Sequence, residues 1–259
     1  MNKILITSGL ALSFIAGEAG ATSGFYLSAH AGATMLRSTG NTLEGKAIIG
    51  GLQNTLERTP LGTLSQSRFT PSLAVGYDFN ELWQQPVRLE LAFSQGGEVS
   101  GVQSTSGNVT SSWSGTSGVT GYRQTFTGDI YRRQKTELNT VMVNGYYDYR
   151  SELPVTPWLM AGVGMAFIRS SMSAGGSGQG VSLDSEQVSQ RASRMAWATG
   201  AGVTWNMTSH LAMDAGYRFT NAGEINLSGT ANSGILSGSG ETRTRLQQHT
   251  VELGLRYTF

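Results

Sequence analysis

The sequence predicts an all-β protein, an eight-stranded antiparallel up-and-down transmembrane β-barrel with short periplasmic turns and long extracellular loops. Three observations predict it. Eight segments of roughly ten residues alternate apolar and polar side chains, which is typical of strands that cross a bilayer at a tilt. The connections between these segments alternate between short and long. After residue 21 no stretch reaches the ~18 apolar residues that a membrane-spanning helix requires.

The first four alternating segments are GFYLSAHAGATML (24–36), RFTPSLAVGYDF (68–79), VRLELAFS (87–94) and TVMVNGYYDY (140–149). In each of them the residues between the apolar positions are mostly polar or small. The apolar faces consist of Phe25, Leu27, Ala29, Ala31, Ala33 and Met35; Phe69, Leu73, Val75, Tyr77 and Phe79; Val87, Leu89, Leu91 and Phe93; and Val141, Val143, Tyr147 and Tyr149.

The second four segments are PWLMAGVGMAF (157–167), RMAWATGAGVTWN (194–206), LAMDAGYRF (211–219) and the final TVELGLRYTF (250–259). Their polar faces are rich in glycine. Their apolar faces consist of Leu159, Ala161, Val163, Met165 and Phe167; Met195, Trp197, Ala201, Val203 and Trp205; Leu211, Met213, Ala215, Tyr217 and Phe219; and Val251, Leu253, Leu255, Tyr257 and Phe259.

The lengths of the connections favour a membrane barrel over a soluble β-sandwich, which also alternates. The short turns are 80–86, 150–156 and 207–210, and the long loops are 37–67, 98–134, 169–193 and 220–243. Aromatic residues cluster beside the short turns, as a girdle at a bilayer interface would. They are Phe25, Tyr77, Phe79, Trp83, Tyr147, Tyr149, Trp158, Trp205, Tyr257 and Phe259. An even strand number places both termini on the periplasmic side.

The N-terminus and the composition predict an exported protein. Residues 1–21 combine a positive Lys3, an apolar run and an Ala19-Gly20-Ala21 cleavage site, so they predict a secretory signal peptide. The mature chain, 22–259, is then a single barrel domain. It contains no cysteine and therefore neither a disulfide framework nor a thiolate metal site. The net charge of +1 gives no reason to expect a nucleic acid partner.

Charged residues on the polar face are expected to line the lumen. They are Asp78, Arg88, Glu90, Asp148, Arg194, Asp214, Arg218, Glu252 and Arg256. Eight strands leave an interior that side chains fill, so these nearly balanced charges should pair into a packed polar core. A proton or ion path is the alternative interpretation. Glycines such as Gly202, Gly216 and Gly254 would let long side chains from other strands lie across the lumen.

Catalytic, cofactor and metal motifs are not found, so no cofactor is predicted. The histidines His30, His210 and His249 lie on different segments without metal-ligand spacing. The glycine-rich GGSGQG (175–180) lacks the lysine and helix of a phosphate-binding loop. Ser209-His210 would lie in a periplasmic turn, away from any lipid substrate at the outer surface. The sequence therefore predicts that the protein is not an enzyme.

Function is assigned to the loops. Loop 98–134 carries the candidate contact residues Trp113, Tyr122, Arg123, Phe126, Tyr131, Arg132 and Arg133. Exposed aromatic and arginine side chains among small polar residues are typical of partner-binding surfaces. Alternatively, the rings extend a β-hairpin above the membrane, or the arginines hold lipopolysaccharide phosphates. In loop 37–67, the segment LEGKAIIGGLQNTLER (43–58) has apolar residues at helical spacing and predicts a short amphipathic helix.

Several stretches resemble the opacity-protein and surface-antigen barrels of Gram-negative bacteria, including the OmpX/Ail group and the OmpA membrane domain. These stretches are GYDFN (76–80), VRLELAFS (87–94), VNGYYDYR (143–150), TPWLMAGVGMAF (156–167), ATGAGVTWNMTSHLAMDAGYRF (198–219) and VELGLRYTF (251–259). The resemblance implies a bacterial outer-membrane protein that contacts lipid and lipopolysaccharide. It also implies insertion by the barrel-assembly machinery, which would read the C-terminal aromatics Tyr257 and Phe259.

In this group the loops often mediate adhesion, invasion or resistance to host defences. The predicted function is therefore surface interaction through the four loops, with host or environmental surface molecules as partners. A small porin is the first alternative and a lipid-modifying outer-membrane enzyme is the second.

Overall fold

The computed structural model describes residues 24–49, 52–113, 122–150, 154–178, 181–184, 187–233 and 236–259. The predicted signal peptide lies outside these ranges. The described residues form ten strands and one short helix. They are β1 (Phe25–Ile49), β2 (Leu52–Pro60), β3 (Leu64–Asp78), α1 (Asn80–Trp83), β4 (Val87–Trp113), β5 (Tyr122–Asp148), β6 (Val155–Gly178), β7 (Val181–Asp184), β8 (Val188–Asn206), β9 (Leu211–Ser233) and β10 (Leu236–Thr258).

Eight of the described strands close into an antiparallel ring, in the order β1, β3, β4, β5, β6, β8, β9, β10. The last strand pairs with the first from Tyr26↔Thr258 to Ile49↔Leu236. The two remaining strands lengthen the wall: β2 pairs with β1 and β4 beyond the start of β3, and β7 pairs with β6 beyond the start of β8. The predicted eight-stranded barrel is confirmed.

The four segments predicted as long loops are mostly strand, and that prediction was wrong. For example, β4 and β5 stay paired as far as Trp113↔Tyr122, and β9 and β10 stay paired as far as Leu236↔Ser233. Segment 98–134 has no proline and many Thr, Val and Ser residues, so continued pairing satisfies its backbone groups. The barrel therefore has a short-turn end, at residues 79–86 and 207–210, and a hairpin end opposite it.

The predicted amphipathic helix at 43–58 is also wrong. Residues up to Ile49 belong to β1 and residues from Leu52 belong to β2, with Ile48 opposite Gln53. Strand pairing on both sides of this segment outweighs a weak helical spacing that already contained the poor helix formers Gly50 and Gly51. The described residues contain no helix with the length and apolarity needed to span a bilayer.

Large apolar side chains form an outward belt around the ring, defined here as the apolar belt. Aromatic rings border it at the short-turn end, where Phe25 and Tyr77 pack edge to face with centroids 4.9 Å apart. At the hairpin end, Trp197 and Phe219 pack in the same way at 5.4 Å. Trp158, predicted for the girdle, instead points inward and is 5% exposed. Trp158 was assigned to the girdle because it lies near the short-turn end of its strand. The even-numbered residues of β6, however, point into the lumen.

Candidate functional site

The lumen near the short-turn end contains three buried ion pairs. Arg88 binds Asp148 through both carboxylate oxygens, with Nε–Oδ2 at 2.7 Å and Nη2–Oδ1 at 2.8 Å. The other pairs are Arg218 Nη2–Glu252 Oε1 at 2.7 Å and Arg256 Nε–Asp214 Oδ2 at 3.6 Å. Each pair joins two neighbouring strands of the ring, β4 with β5 in the first case and β9 with β10 in the other two. These contacts fix inward-pointing charges in place within the ring.

The fourth buried carboxylate, Glu90, is bound by neutral donors. Tyr146 donates its hydroxyl at 3.0 Å, Asn144 its amide at 3.3 Å, and Tyr26 and Ser28 their hydroxyls at 3.4 Å. The Arg88 guanidinium lies 4.5 Å from the Tyr146 ring centroid, where it gains a cation–π contact. Glu90 is therefore connected to the Arg88–Asp148 pair through an aromatic side chain.

Two other residues assigned to the lumen lie elsewhere. Asp78 is at the short-turn rim, where Arg150 binds it at 2.8 Å with a side chain that is 41% exposed. Arg194 is exposed, because β8 pairs with β9 only from Trp197 toward the short-turn end and leaves the wall beside Arg194 unpaired. The alternating pattern assigns each of these residues to a face of its strand, but it does not show where the wall of the barrel ends.

Trp158 crosses the lumen over two glycines of neighbouring strands. A Cβ at Gly216 would lie 2.5 Å from the Trp158 ring, and a Cβ at Gly202 would lie 2.3 Å from it. His30 lies in the same way against Gly254, and Tyr26 against Gly76. The glycines of the polar face thus make room for large side chains, which here are Trp, His, Tyr and Met.

Beyond the ion pairs, toward the hairpin end, the lumen is filled by apolar side chains that are at most 3% exposed. This lumen plug consists of Leu36, Val99, Leu138, Met142, Ala166, Ile168, Ala222, Ile225 and Leu246. Val99, Ala222 and Ile225 lie in segments that the sequence predicts as loops, and Leu138, Ile168 and Leu246 lie between those loops and the predicted strands. The sequence does contain evidence for these inward residues, because the alternation that turns every second side chain toward the lumen continues through Leu36 in β1 and Leu138 in β5.

We expect the refolded protein to show no discrete conductance steps in planar bilayers, because the lumen plug removes water from the barrel axis. Protein-free bilayers formed from the same detergent stock are the control. Reproducible unitary steps from folded, heat-modifiable protein would contradict this expectation and revive the porin alternative.

A second buried polar layer lies beyond the lumen plug. Arg132 is fully buried there and donates to the Gln103 amide oxygen from Nε at 3.1 Å, with further hydrogen bonds to Gln103 and to Thr242. Thr242 in turn donates to the Thr42 carbonyl oxygen at 2.6 Å. Burial lowers the pKa of the Arg132 guanidinium to about 10. Arg132 therefore braces three strands across the extended barrel and is not a surface contact.

The comparison with known proteins agrees with this architecture. The family model described as "Outer membrane protein beta-barrel domain" matches residues 4–259. The chain belongs to the outer membrane protein β-barrel family. It is 28% identical to outer membrane protein PagN of Salmonella typhimurium over 246 residues, covering 93% of this chain and 92% of that protein. It is 22% identical to a putative adhesin of Rickettsia bellii over 205 residues, covering 77% and 79%.

Among solved structures, Neisserial surface protein A is similar over 92% of this chain and 98% of that one, with a TM-score of 0.41 and 17% identity. The attachment invasion locus protein Ail of Yersinia pestis is similar over 87% and 99%, with a TM-score of 0.32 and 11% identity. Membership of the family places the chain in the bacterial outer membrane.

The candidate loop contacts fall into three groups. Tyr131 and Arg133 are on the outward face of β5, where the Arg133 guanidinium lies 5.8 Å from the Tyr131 ring centroid. Arg132, between them in sequence, points inward because a strand alternates its faces. The side chains of Trp113, Tyr122, Arg123 and Phe126 lie outside the described part of the structure.

Outward charges form a row just beyond the apolar belt at the hairpin end. Glu98 of β4 is opposite Glu137 of β5, and Lys135 bridges the two carboxylates at 3.1 and 3.4 Å. Arg68 of β3 adds a contact to Glu98 at 3.3 Å. Hydrogen bonds that the Lys135 ammonium donates to the Glu98 and Glu137 carboxylates raise the pKa of Lys135. The positive charge of Lys135 therefore offsets the repulsion between the Glu98 and Glu137 carboxylates on the paired strands.

The described residues contain no group of three or more acidic or histidine side chains arranged to hold a metal ion. His30 faces the lumen, His249 faces outward and accepts or donates a 2.7 Å hydrogen bond with the Tyr217 hydroxyl, and His210 contacts the Thr258 carbonyl oxygen. At the closing strand, the exposed ring of Tyr257 packs edge to face against Phe259, with centroids 5.2 Å apart.

Proposed function

We propose that this outer-membrane barrel is a surface adhesin, with its hairpin end outside the cell and its short turns and both termini in the periplasm. Tyr257 and Phe259 would then lie at the periplasmic interface, where the barrel-assembly machinery would recognise them. The barrel acts by holding a binding surface rigidly away from the membrane and not by catalysis or conduction. Host or environmental surface molecules are the proposed partners.

The observation that carries this proposal is the outward patch of Val102, Tyr131 and Arg133 on the β4–β5 hairpin. Val102 is 61% exposed and directly faces Arg133 across the strand pair. An aromatic ring, an arginine and an exposed aliphatic side chain on neighbouring positions are the residue types enriched in binding hot spots. Because Arg132 and Gln103 brace this hairpin from inside, the patch is preorganised and loses little entropy on binding.

The relatives support the same proposal. One is described as a putative adhesin, and it matches more than three quarters of this chain. The similarity to PagN extends over almost the whole of both chains, so it includes the hairpins as well as the belt. Adhesion is therefore proposed for the part of the molecule beyond the apolar belt.

The test compares two double variants displayed on a non-adherent bacterial strain. Tyr131→Ser/Arg133→Ser removes the patch, and we expect it to lower attachment to cultured epithelial cells by roughly tenfold, as the loss of hot-spot anchors would. Glu224→Ser/Arg245→Ser removes an exposed ion pair on the β9–β10 hairpin and should leave attachment unchanged. Equal attachment by the patch variant, at equal surface amount and heat-modifiable folding, would refute the assignment.

A further inference from the structure

Two arginines continue the outward row of charges onto the next two strands of the ring, β6 and β8. Arg169 of β6 directly faces Arg191 of β8, and both side chains are exposed. Facing residues on an antiparallel pair have Cβ atoms about 5 Å apart, so two like charges there repel each other. Glu137 faces Arg169 from β5, but its carboxylate is bound to Lys135 at 3.4 Å.

The arginine pair differs from the acidic pair in the same row. Glu98 and Glu137 are bridged by Lys135 and approached by Arg68, whereas no carboxylate among the described residues lies within 4.0 Å of Arg169 or Arg191. The row is therefore locally neutral over β3, β4 and β5, with Arg68 and Lys135 against Glu98 and Glu137, and carries two uncompensated positive charges over β6 and β8. A divalent anion would complete the row in the way that Lys135 completes it on the acidic side.

The position of Arg169 and Arg191 relative to the apolar belt limits which anion can bind them. Arg169 is the next outward residue after Phe167, and Phe167 ends the apolar series of β6. The guanidiniums therefore lie where acyl chains give way to headgroups. Just beyond them Ser171 and Ser189 share a 2.9 Å hydrogen bond across the same two strands and add hydroxyl groups to the surface. Planar guanidiniums bind phosphate through paired hydrogen bonds, and two of them facing each other suit one phosphate group.

We propose that Arg169 and Arg191 together bind a phosphate group of lipopolysaccharide at the hairpin-end rim of the apolar belt. The proposal rests on the orientation given above, since lipopolysaccharide lies in the outer leaflet. It goes beyond adhesion, because it assigns a lipid site to β6 and β8, whereas the Tyr131–Arg133 patch lies on β5. The bound phosphate neutralises the arginine pair and holds β6 and β8 together.

The first test measures lipopolysaccharide binding to the full chain refolded in zwitterionic detergent, so its result does not depend on orientation in a cell. We expect removal of the lipid A phosphates to weaken binding by about tenfold for the unmodified protein. Arg169→Gln/Arg191→Gln should bind phosphorylated lipopolysaccharide about tenfold more weakly and should not distinguish the two forms. Arg243→Gln/Arg245→Gln, which also removes two exposed outward charges, should bind like the unmodified protein.

Three results would overturn the proposal. The first is equal binding by the Arg169/Arg191 double variant, and the second is the same phosphate dependence in that variant as in the unmodified protein. The third is an equal or larger effect of the double variant on phosphatidylglycerol binding, which would make the site a general anionic-lipid contact.

A second measurement separates binding from a purely structural role. Arg191→Glu places an opposite charge across from Arg169, so we expect the lipid-free barrel to melt at a higher temperature than the unmodified protein. Added phosphorylated lipopolysaccharide should raise the melting temperature of the unmodified protein and leave that of Arg191→Glu unchanged. If lipopolysaccharide stabilises both proteins equally, the arginine pair is not its binding site.

Discussion

Replacing Arg88 with alanine should destabilise the barrel by about 3–5 kcal/mol, which is typical of removing one partner from a buried ion pair. Arg88 is 2% exposed and supplies both hydrogen bonds to the Asp148 carboxylate. Without it, Asp148 remains charged in the lumen with only the partly exposed Arg150, 3.9 Å away, as a cation. The Tyr146 ring also loses its cation–π contact, so the binding site of Glu90 loosens as well. Urea unfolding of the refolded barrel in lipid vesicles measures the change.

Two controls define the origin of this loss. Arg150→Ala removes a rim ion pair whose arginine is partly exposed, and it should cost less than about 1 kcal/mol. Arg88→Met/Asp148→Leu removes both buried charges and should recover most of the stability, because no unpaired charge remains. A double variant as unstable as Arg88→Ala would show that packing around residue 88, and not the buried charge on Asp148, dominates the loss.

The sequence was sufficient to predict the ring and the faces of its strands within the apolar belt. A period of two residues assigns each side chain to lipid or lumen, and Arg88, Glu90, Asp214 and Glu252 are all buried in the structure. It did not predict the partners, because Arg88 and Asp148 are 60 residues apart and meet only through the register of β4 and β5.

The hairpin end was predicted poorly for a physical reason. Segments such as 98–134 are polar on both faces over much of their length, so hydrophobic periodicity is weak and composition suggests loops. Their strands persist because each continues the pairing already set within the belt. The inward positions of Arg132 and of the lumen plug residue Leu138 can be predicted only if the two-residue alternation of β5 is continued beyond the apolar belt. Arg169 and Arg191 likewise face each other only because β7 and then β8 pair with the same side of β6. The sequence alone does not give that register.

Enlarging Gly216 should destabilise the barrel through a collision with Trp158, and shrinking Trp158 should relieve it. Gly216→Ala places a Cβ 2.5 Å from the indole ring, which costs roughly 1–3 kcal/mol as overpacking. Trp158→Ala alone removes a ring that is 5% exposed and contacts Tyr146 edge to face at 5.4 Å, which costs roughly 3–5 kcal/mol. Because both changes act on the same space, the double variant should lose less stability than the sum of the two single variants.

The Gly216–Trp158 pair tests whether glycine on the polar face is required for space or only tolerated as a small residue. Gly145→Ala is the matched control, since the nearest atom to its added Cβ is 3.8 Å away, and it should change stability little. The measurement is the free energy of unfolding of the unmodified protein, the two single variants, the double variant and Gly145→Ala in the same lipid, together with the near-ultraviolet circular dichroism of Gly216→Ala. Strict additivity, with an unchanged indole signal in Gly216→Ala, would mean that the ring avoids Gly216 by another packing and that the glycine is not required for it.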